Sequence, residues 1–304
     1  MAGSDSEAGM IARGRGRSAS RLAARANGRL PGLPEAQRTR HLLPVVQAAP
    51  SNWLRLLSFN IQVGIRTERY SHYLTRGWRH LLPDVERQRN LDRIAHVAHQ
   101  FDLVALQEAD AGSLRSGFVN QVEYIAHRAG FEYWYAQRNR DLGMLAQHAN
   151  GLLTRTRPRR IEDHKLPGLI PGRGALLLHY GTEADPLVVV MLHLSLGGGA
   201  RDRQLGYVRD LIAPYRRVVL MGDLNSHLDD LLNNTPLSET GLVPPMPIEE
   251  MSHATYPAWR PAVGLDHVLV SPTIQVRHFR VLDPCVSDHR PVAVEIELPA
   301  PLVH

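Results

Sequence analysis

From Trp53 to the C-terminus the chain is built of short apolar runs, each set off by turn-forming residues, and this punctuation restricts the fold more than any other feature. LRLLSFNI (54–61), FDLVALQE (101–108), NGLLTR (150–155), GALLLHY (174–180), LVVVMLHL (187–194), RVVLMGDLN (217–225), LDHVLVS (265–271), QVRHFRVL (275–282) and PVAVEIEL (291–298) all have the length and composition of strands. Helical spacing occurs in DVERQRNLDRIAHVAHQ (84–100), in VNQVEYIAHRAG (119–130) with its closing glycine, and in ARDRQLGYVRDLIAPY (200–215), which stops at a proline. No internal repeat and no break in composition divides residues 51–299. A single domain of roughly 250 residues is acceptable for a large sandwich.

The second constraint is how the runs end. VVLMGDLNSHLDD (218–230) passes four apolar residues, is read as turning at Gly222, and presents Asp223 and Asn225 two apart, a spacing that puts both side chains on one face of a strand. Either residue would also serve as the cap of a short helix beginning in SHLDDLL. The other runs end alike: LLSFN at Asn60, LVALQE at Glu108, VVVMLH at His193, while Asp266 opens LDHVLV and Asp288 with His289 precedes the last strand. Each has an ordinary explanation, a solvated carboxylate or a hydrogen-bonded histidine. Six edges carrying acid, amide or imidazole groups point instead to one polar pocket at one end of a sheet scaffold.

Such a pocket suits metal-assisted attack of water on a phosphate ester. Oxygen ligands without thiolates favour Mg²⁺ or Mn²⁺, and Glu108 and Asp288 are the candidate ligands. His289 with Asp266 has the make-up of a base held in one tautomer by a carboxylate. Asn60, Asn225 and His193 supply neutral donors for phosphate oxygens and for the more negative transition state.

At these positions the sequence resembles the endonuclease/exonuclease/phosphatase superfamily. SFNIQVG, DLVALQE, MGDLN, GLDHVLVS and SDHRPV look like five of its motifs, in order over about residues 53–298. The resemblance implies a four-layer αββα sandwich of two mixed β-sheets flanked by helices. It implies Glu108 and Asp288 as metal ligands, with Asn60 beside them, and Asp223 positioning or activating water. His289 would work against Asp266, and the base remains open between Asp223 and His289. PGRGALLL resembles a segment that sets an arginine near the phosphate, making Arg173 a substrate-binding candidate or else a solvated loop residue. Asn150 in ANGLLTR matches a pocket amide of some members, or is a turn residue. His193 in MLHLSLG resembles the deoxyribonuclease-I-like and sphingomyelinase-like branches and disfavours an abasic-site role.

The remaining features bear on partners. QVGIRTERYSHYLTRGWRHLLPD (62–84) interleaves Tyr70, Tyr73 and Trp78 with Arg66, Arg69, Arg76 and Arg79, which suits stacking on bases as well as a packed loop or dimer contact. ATYPAWRPAVG (254–264) reads as a pocket wall with Trp259 and Arg260 near Asp266, or as a rigid loop. Eight arginines against three acids in residues 1–41 account for the whole formal charge of +5, so the basicity belongs to the tail. That tail, residues 1–50, is expected to be disordered, with loose polyanion binding as its candidate role. Cys285, the single cysteine, excludes an internal disulfide. No apolar run is long enough to span a membrane and no secretory signal is evident, so a cytoplasmic location is expected.

These readings combine into a Mg²⁺- or Mn²⁺-dependent phosphodiesterase with nucleic acid as substrate, an endo- or exonuclease. The alternatives are a sphingomyelinase-like or inositol-phosphatase-like hydrolase of phospholipid or small phosphoesters, and a non-catalytic binding protein on the same scaffold. No protein partner is predictable.

Overall fold

A computed structural model describes residues 53–64, 85–141, 147–168, 172–247, 254–284 and 286–298. The arginine-rich tail, most of the 62–84 segment and Cys285 lie outside the described residues.

Two sheets form the framework. The first has the order β10-β11-β1-β2-β4-β3, from Val276–Val281, Val292–Glu297, Trp53–Asn60, Leu103–Asp110, Gln147–Thr154 and Tyr133–Asp141. The second has the order β5-β6-β7-β8-β9, from Arg160–Lys165, Gly174–Gly181, Pro186–His193, Arg217–Asp223 and Asp266–Val270. Both are mixed: β1 runs parallel to β2 and β7 parallel to β8, whereas the other pairings are antiparallel. The helices are α1 (Val85–Ala98), α2 (Gln121–Ala129), α3 (Gly198–Ile212) and α4 (Leu228–Asn234).

Strand periodicity divides the apolar side chains between two interfaces. Leu176 and Leu178 of β6 meet Met191, Val219, Leu56, Ala105 and Val294 between the sheets. Their neighbours Ala175 and Leu177 face outward with Val190 and Leu220, onto Leu205, Val208 and Leu231 of α3 and α4. On the other side Phe59, Val104 and Leu106 pack under Ile94 and Ala98 of α1 and Ile125 and Ala126 of α2. The layers therefore run helix, sheet, sheet, helix, as the resemblance implies. Runs buried on both faces explain why the sequence shows continuous apolar stretches rather than alternation. Each fully buried Leu or Ile contributes about 1.5–3 kcal/mol. Among the described residues no helix is long and apolar enough to cross a membrane.

Strands β3 and β5 gave no apolar run in the sequence. Both lie at a sheet edge, where YWYAQRNRD and RIEDHK carry polar side chains that a central strand would not tolerate. Arg155 supplies a further link that pattern reading passes over. Its guanidinium donates to the carbonyls of Phe101 (3.0 Å), Gly130 (3.0 Å) and His99 (2.7 Å) and lies 4.6 Å from the Phe131 ring centre. One arginine thus satisfies carbonyls that follow both α1 and α2.

Candidate active site

The topology explains why the polar edges converge. In the parallel pairs β1–β2 and β7–β8 the C-terminal ends lie together, and antiparallel β9 and β11 begin where their partners finish. In the second sheet His193 is paired with Asp223 and Asp223 with Asp266, so three adjacent strands place these side chains in one row. In the first sheet Ser58 is opposite Val292, and the chain just before β11 comes back over the end of β1. There Ser287 donates from its hydroxyl to the Asn60 carbonyl at 2.7 Å, fixing Asp288 and His289 beside Asn60.

The backbone at these edges is locally unusual. Gly222 is not a turn but part of β8, with φ +152°, and any side chain there would overlap the Leu192 carbonyl. Only glycine allows β8 to approach β7 this closely, which brings Asp223 within reach of His193. Glu108 sits at a bulge of β2 against β4 with φ +55°, and Asn225 has φ +50°. Non-glycine residues adopt this region at a cost of about 1 kcal/mol or more, and a bulge re-aims the side chain it carries.

Asp223 is the hub. Its Oδ2 accepts from Asn60 Nδ2 at 3.0 Å and lies 3.6 Å from His193 Nε2 and 4.0 Å from His289 Nδ1. Its Oδ1 accepts from the Asn225 amide at 3.1 Å. Burial, followed by the Asp266 charge, pushes the Asp223 carboxyl up from 3.8 to about 7. His289 Nδ1 donates to Asp266 Oδ2 at 2.7 Å. Although burial works against the charged ring, the Asp266 and Asp223 carboxylates together hold His289 well above the usual imidazole range.

The second histidine behaves oppositely. Burial and then Arg173 depress His193 far below the usual value, which makes it a neutral imidazole. Arg173 Nη1 approaches its Nδ1 at 2.7 Å. His193 Nε2 lies 3.8 Å from Glu108 Oε1, bringing Glu108 into the same group. Enclosure in the pocket and the Asp288 charge both raise the Glu108 carboxyl.

The other candidates are placed less centrally. Asn225 donates from Nδ2 to the Leu194 carbonyl at 2.9 Å, fastening the end of β7. Asn150 lines the pocket with Arg173, while its Nδ2 donates to Gln137 Oε1 at 3.0 Å. The helix-cap reading of MGDLN does not hold. Helix α4 follows His227 with no side-chain cap, and Asp223 is engaged within the pocket.

Segment 254–264 does border the site, through residues that carry no sequence motif. Tyr256 packs against His289 with ring centres 4.9 Å apart. Thr255 Oγ1 accepts from the Asp266 amide at 3.3 Å, and Ala258 donates to the Asp288 carbonyl at 2.7 Å. Ser287, Thr255 and Tyr256 thus support the Asp266–His289 pair. Ser287 opens the SDHRPV motif, whereas Thr255 and Tyr256 act by a hydroxyl on a backbone amide and by a ring face, contacts that residue spacing does not announce.

Among the described residues one carboxylate and imidazole cluster is tight enough to surround a cation, Asp223, Asp266 and His289, whose ligand atoms lie within 4.8 Å of one another. Its chemistry argues otherwise. The Nδ1 that faces Asp266 carries the proton of their hydrogen bond, and a protonated nitrogen has no lone pair for a metal.

Comparison with known proteins bears on the fold and the family. No curated protein matches the sequence. An endonuclease/exonuclease/phosphatase protein from Beutenbergia cavernae is 20% identical, with TM-score 0.60 over 83% of this chain and 73% of that one. The mannosyl-6-phosphatase Bt3783 of Bacteroides thetaiotaomicron is 19% identical, with TM-score 0.58 over 80% and 99%. Humanized D. rerio TDP2 is 17% identical, with TM-score 0.58 over 81% and 100%. At these identities the likeness is one of fold. The model of the Endonuclease/Exonuclease/phosphatase family matches residues 57–289, and with that span the chain belongs to this family of phosphoester hydrolases.

Proposed function

We propose that this protein is a divalent-metal-dependent phosphodiesterase that cleaves nucleic acid or its fragments by attack of water on phosphorus. The observation that carries this reading is the split between two buried groups 4.0 Å apart, Asp223 raised to about 7 and His289 held in its charged form. A carboxylate poised near neutrality is matched to the work of a general base, and an imidazolium is not. Asp223 therefore takes the proton of the attacking water. Asn60 orients the Asp223 carboxylate, and His289, steadied by Asp266, places positive charge where the phosphate gains negative charge. His193, kept neutral, donates a hydrogen bond to a phosphate oxygen with Arg173 behind it.

Glu108 and Asp288 fit a divalent ion. They are hard oxygen donors that would hold the ion, and its charge would offset the burial and the Asp288 repulsion that raise the Glu108 carboxyl. When bound, Mg²⁺ or Mn²⁺ supplies Lewis-acid polarisation of the phosphate. The Oδ1 of Asn60 accepts from the Gln62 amide at 3.1 Å and retains a second lone pair for the same ion.

A second reading, hydrolysis of a small sugar phosphate, draws on the likeness to mannosyl-6-phosphatase. The test is an assay of the full chain against plasmid DNA, single-stranded DNA, RNA, sphingomyelin, inositol phosphates and mannose 6-phosphate, with Mg²⁺, Mn²⁺ or EDTA. Turnover of nucleic acid that EDTA abolishes supports the proposal. Turnover of the sugar phosphate alone selects the second reading, and none on any substrate with metal rejects both.

A further inference from the structure

The catalytic groups form one wall of a larger space. A cavity of about 460 Å³ is lined by Glu108, Arg173 and His193 and extends to His148, Leu196 and Arg203. Its volume falls in the range of pockets for small organic ligands and exceeds the needs of one phosphate group.

Arg203 is the informative residue. Its side chain is exposed at the cavity and, among the described residues, makes no hydrogen bond or ion pair. Its Nη1 lies 4.0 Å from the point where a side chain on Gly199 would begin. The guanidinium thus lies beside Gly199 in the first turn of α3, in the lining of the cavity. Gly197 at the start of α3 gives no side-chain cap to the first-turn amides. Beside this cationic end Leu196 stands 77% exposed on the cavity rim, with Ala149 and Ala200 in the lining. An unpaired arginine next to the exposed Leu196 side chain matches a ligand that joins a phosphate to a weakly polar ring.

We propose that this cavity is a subsite for a nucleotide-sized unit carrying a second phosphate next to the scissile one, and that Arg203 is the residue that selects for that phosphate. The inference rests on the phosphodiesterase reading above. Arg203 binds substrate without touching the reacting atoms, so its removal changes KM and leaves kcat in place.

The full chain with Mg²⁺ is assayed on a dinucleotide with a terminal phosphate, the same dinucleotide without it, and bis(p-nitrophenyl) phosphate, in wild type, Arg203→Ala and Arg203→Lys. Wild type is expected to prefer the phosphorylated dinucleotide at least tenfold in kcat/KM. Arg203→Ala erases that preference through KM, Arg203→Lys restores part of it, and bis(p-nitrophenyl) phosphate is hydrolysed equally by all three. Equal use of both dinucleotides by wild type, or an equal loss on every substrate in Arg203→Ala, overturns the subsite while the phosphodiesterase reading stands. Inertness of wild type on all three rejects that reading and the subsite with it.

Discussion

His289 Nδ1 lies 2.7 Å from Asp266 Oδ2, and the bond joins the segment before the last strand of one sheet to the first residue of a strand in the other. The charge of Asp266, with that of Asp223, keeps the imidazole protonated against its burial. Asp266→Asn retains an acceptor oxygen and removes that charge, so kcat is expected to fall about 10²- to 10⁴-fold. The check is steady-state kinetics beside a melting curve. A loss of activity accompanied by global unfolding would instead assign Asp266 to the scaffold.

The acid limb of the activity profile follows from Asp223. As the base it works only when deprotonated, so kcat/KM rises with pH through the region of about 7. Stability runs the other way. Asp223 is raised from 3.8 to about 7 in the folded protein, so its favourable contribution is complete below 3.8 and lost as pH climbs through about 7. His289, raised above 6.5, contributes fully below 6.5 and loses that contribution as pH rises through its elevated value. Metal-free protein is therefore expected to melt at a lower temperature at pH 8 than at pH 5.5, which calorimetry in EDTA measures.

Metal dependence is tested at Glu108. Glu108→Gln removes one oxygen anion from the repulsion with Asp288, so Mg²⁺ no longer raises the melting temperature and activity falls at least about 10²-fold. The metal-free variant melts no lower than metal-free wild type at pH 8, because the raised carboxyl of Glu108 is itself a source of instability.

Much of the candidate site was legible because its groups stand at the ends of apolar runs. Asn60, Glu108, His193 and Asp223 stand at the pocket end of strands buried on both faces, and pattern alone singles out a polar residue there. What the pattern cannot carry is conformation. Gly222 reads as a turn, although it is the strand residue that lets β8 close on β7, and Glu108 gives no sign that it sits on a bulge with positive φ. Strands β3 and β5 escaped because edge positions impose no apolar run. Thr255 and Tyr256 escaped because a hydroxyl bonded to a backbone amide and a ring packed on a ring leave no spacing in the sequence.

Stability and chemistry separate at Arg155. It holds three carbonyls around the ends of α1 and α2, far along β4 from the pocket end. Arg155→Ala is expected to cost about 2–4 kcal/mol in urea unfolding, since hydrogen bonds to a charged group are lost and buried carbonyls are left unpaired. kcat measured well below the lowered melting temperature remains close to that of wild type.

The central claim is that Asp223 is the base of a metal-dependent phosphodiesterase. The most direct measurement is the pH dependence of kcat/KM for bis(p-nitrophenyl) phosphate at saturating Mg²⁺, in wild type, Asp223→Asn and His289→Gln. Wild type is expected to show an acid limb that disappears with Asp223→Asn along with at least about 10²-fold of the activity, and that persists at reduced rate in His289→Gln. A limb that survives in Asp223→Asn and vanishes in His289→Gln would contradict the claim.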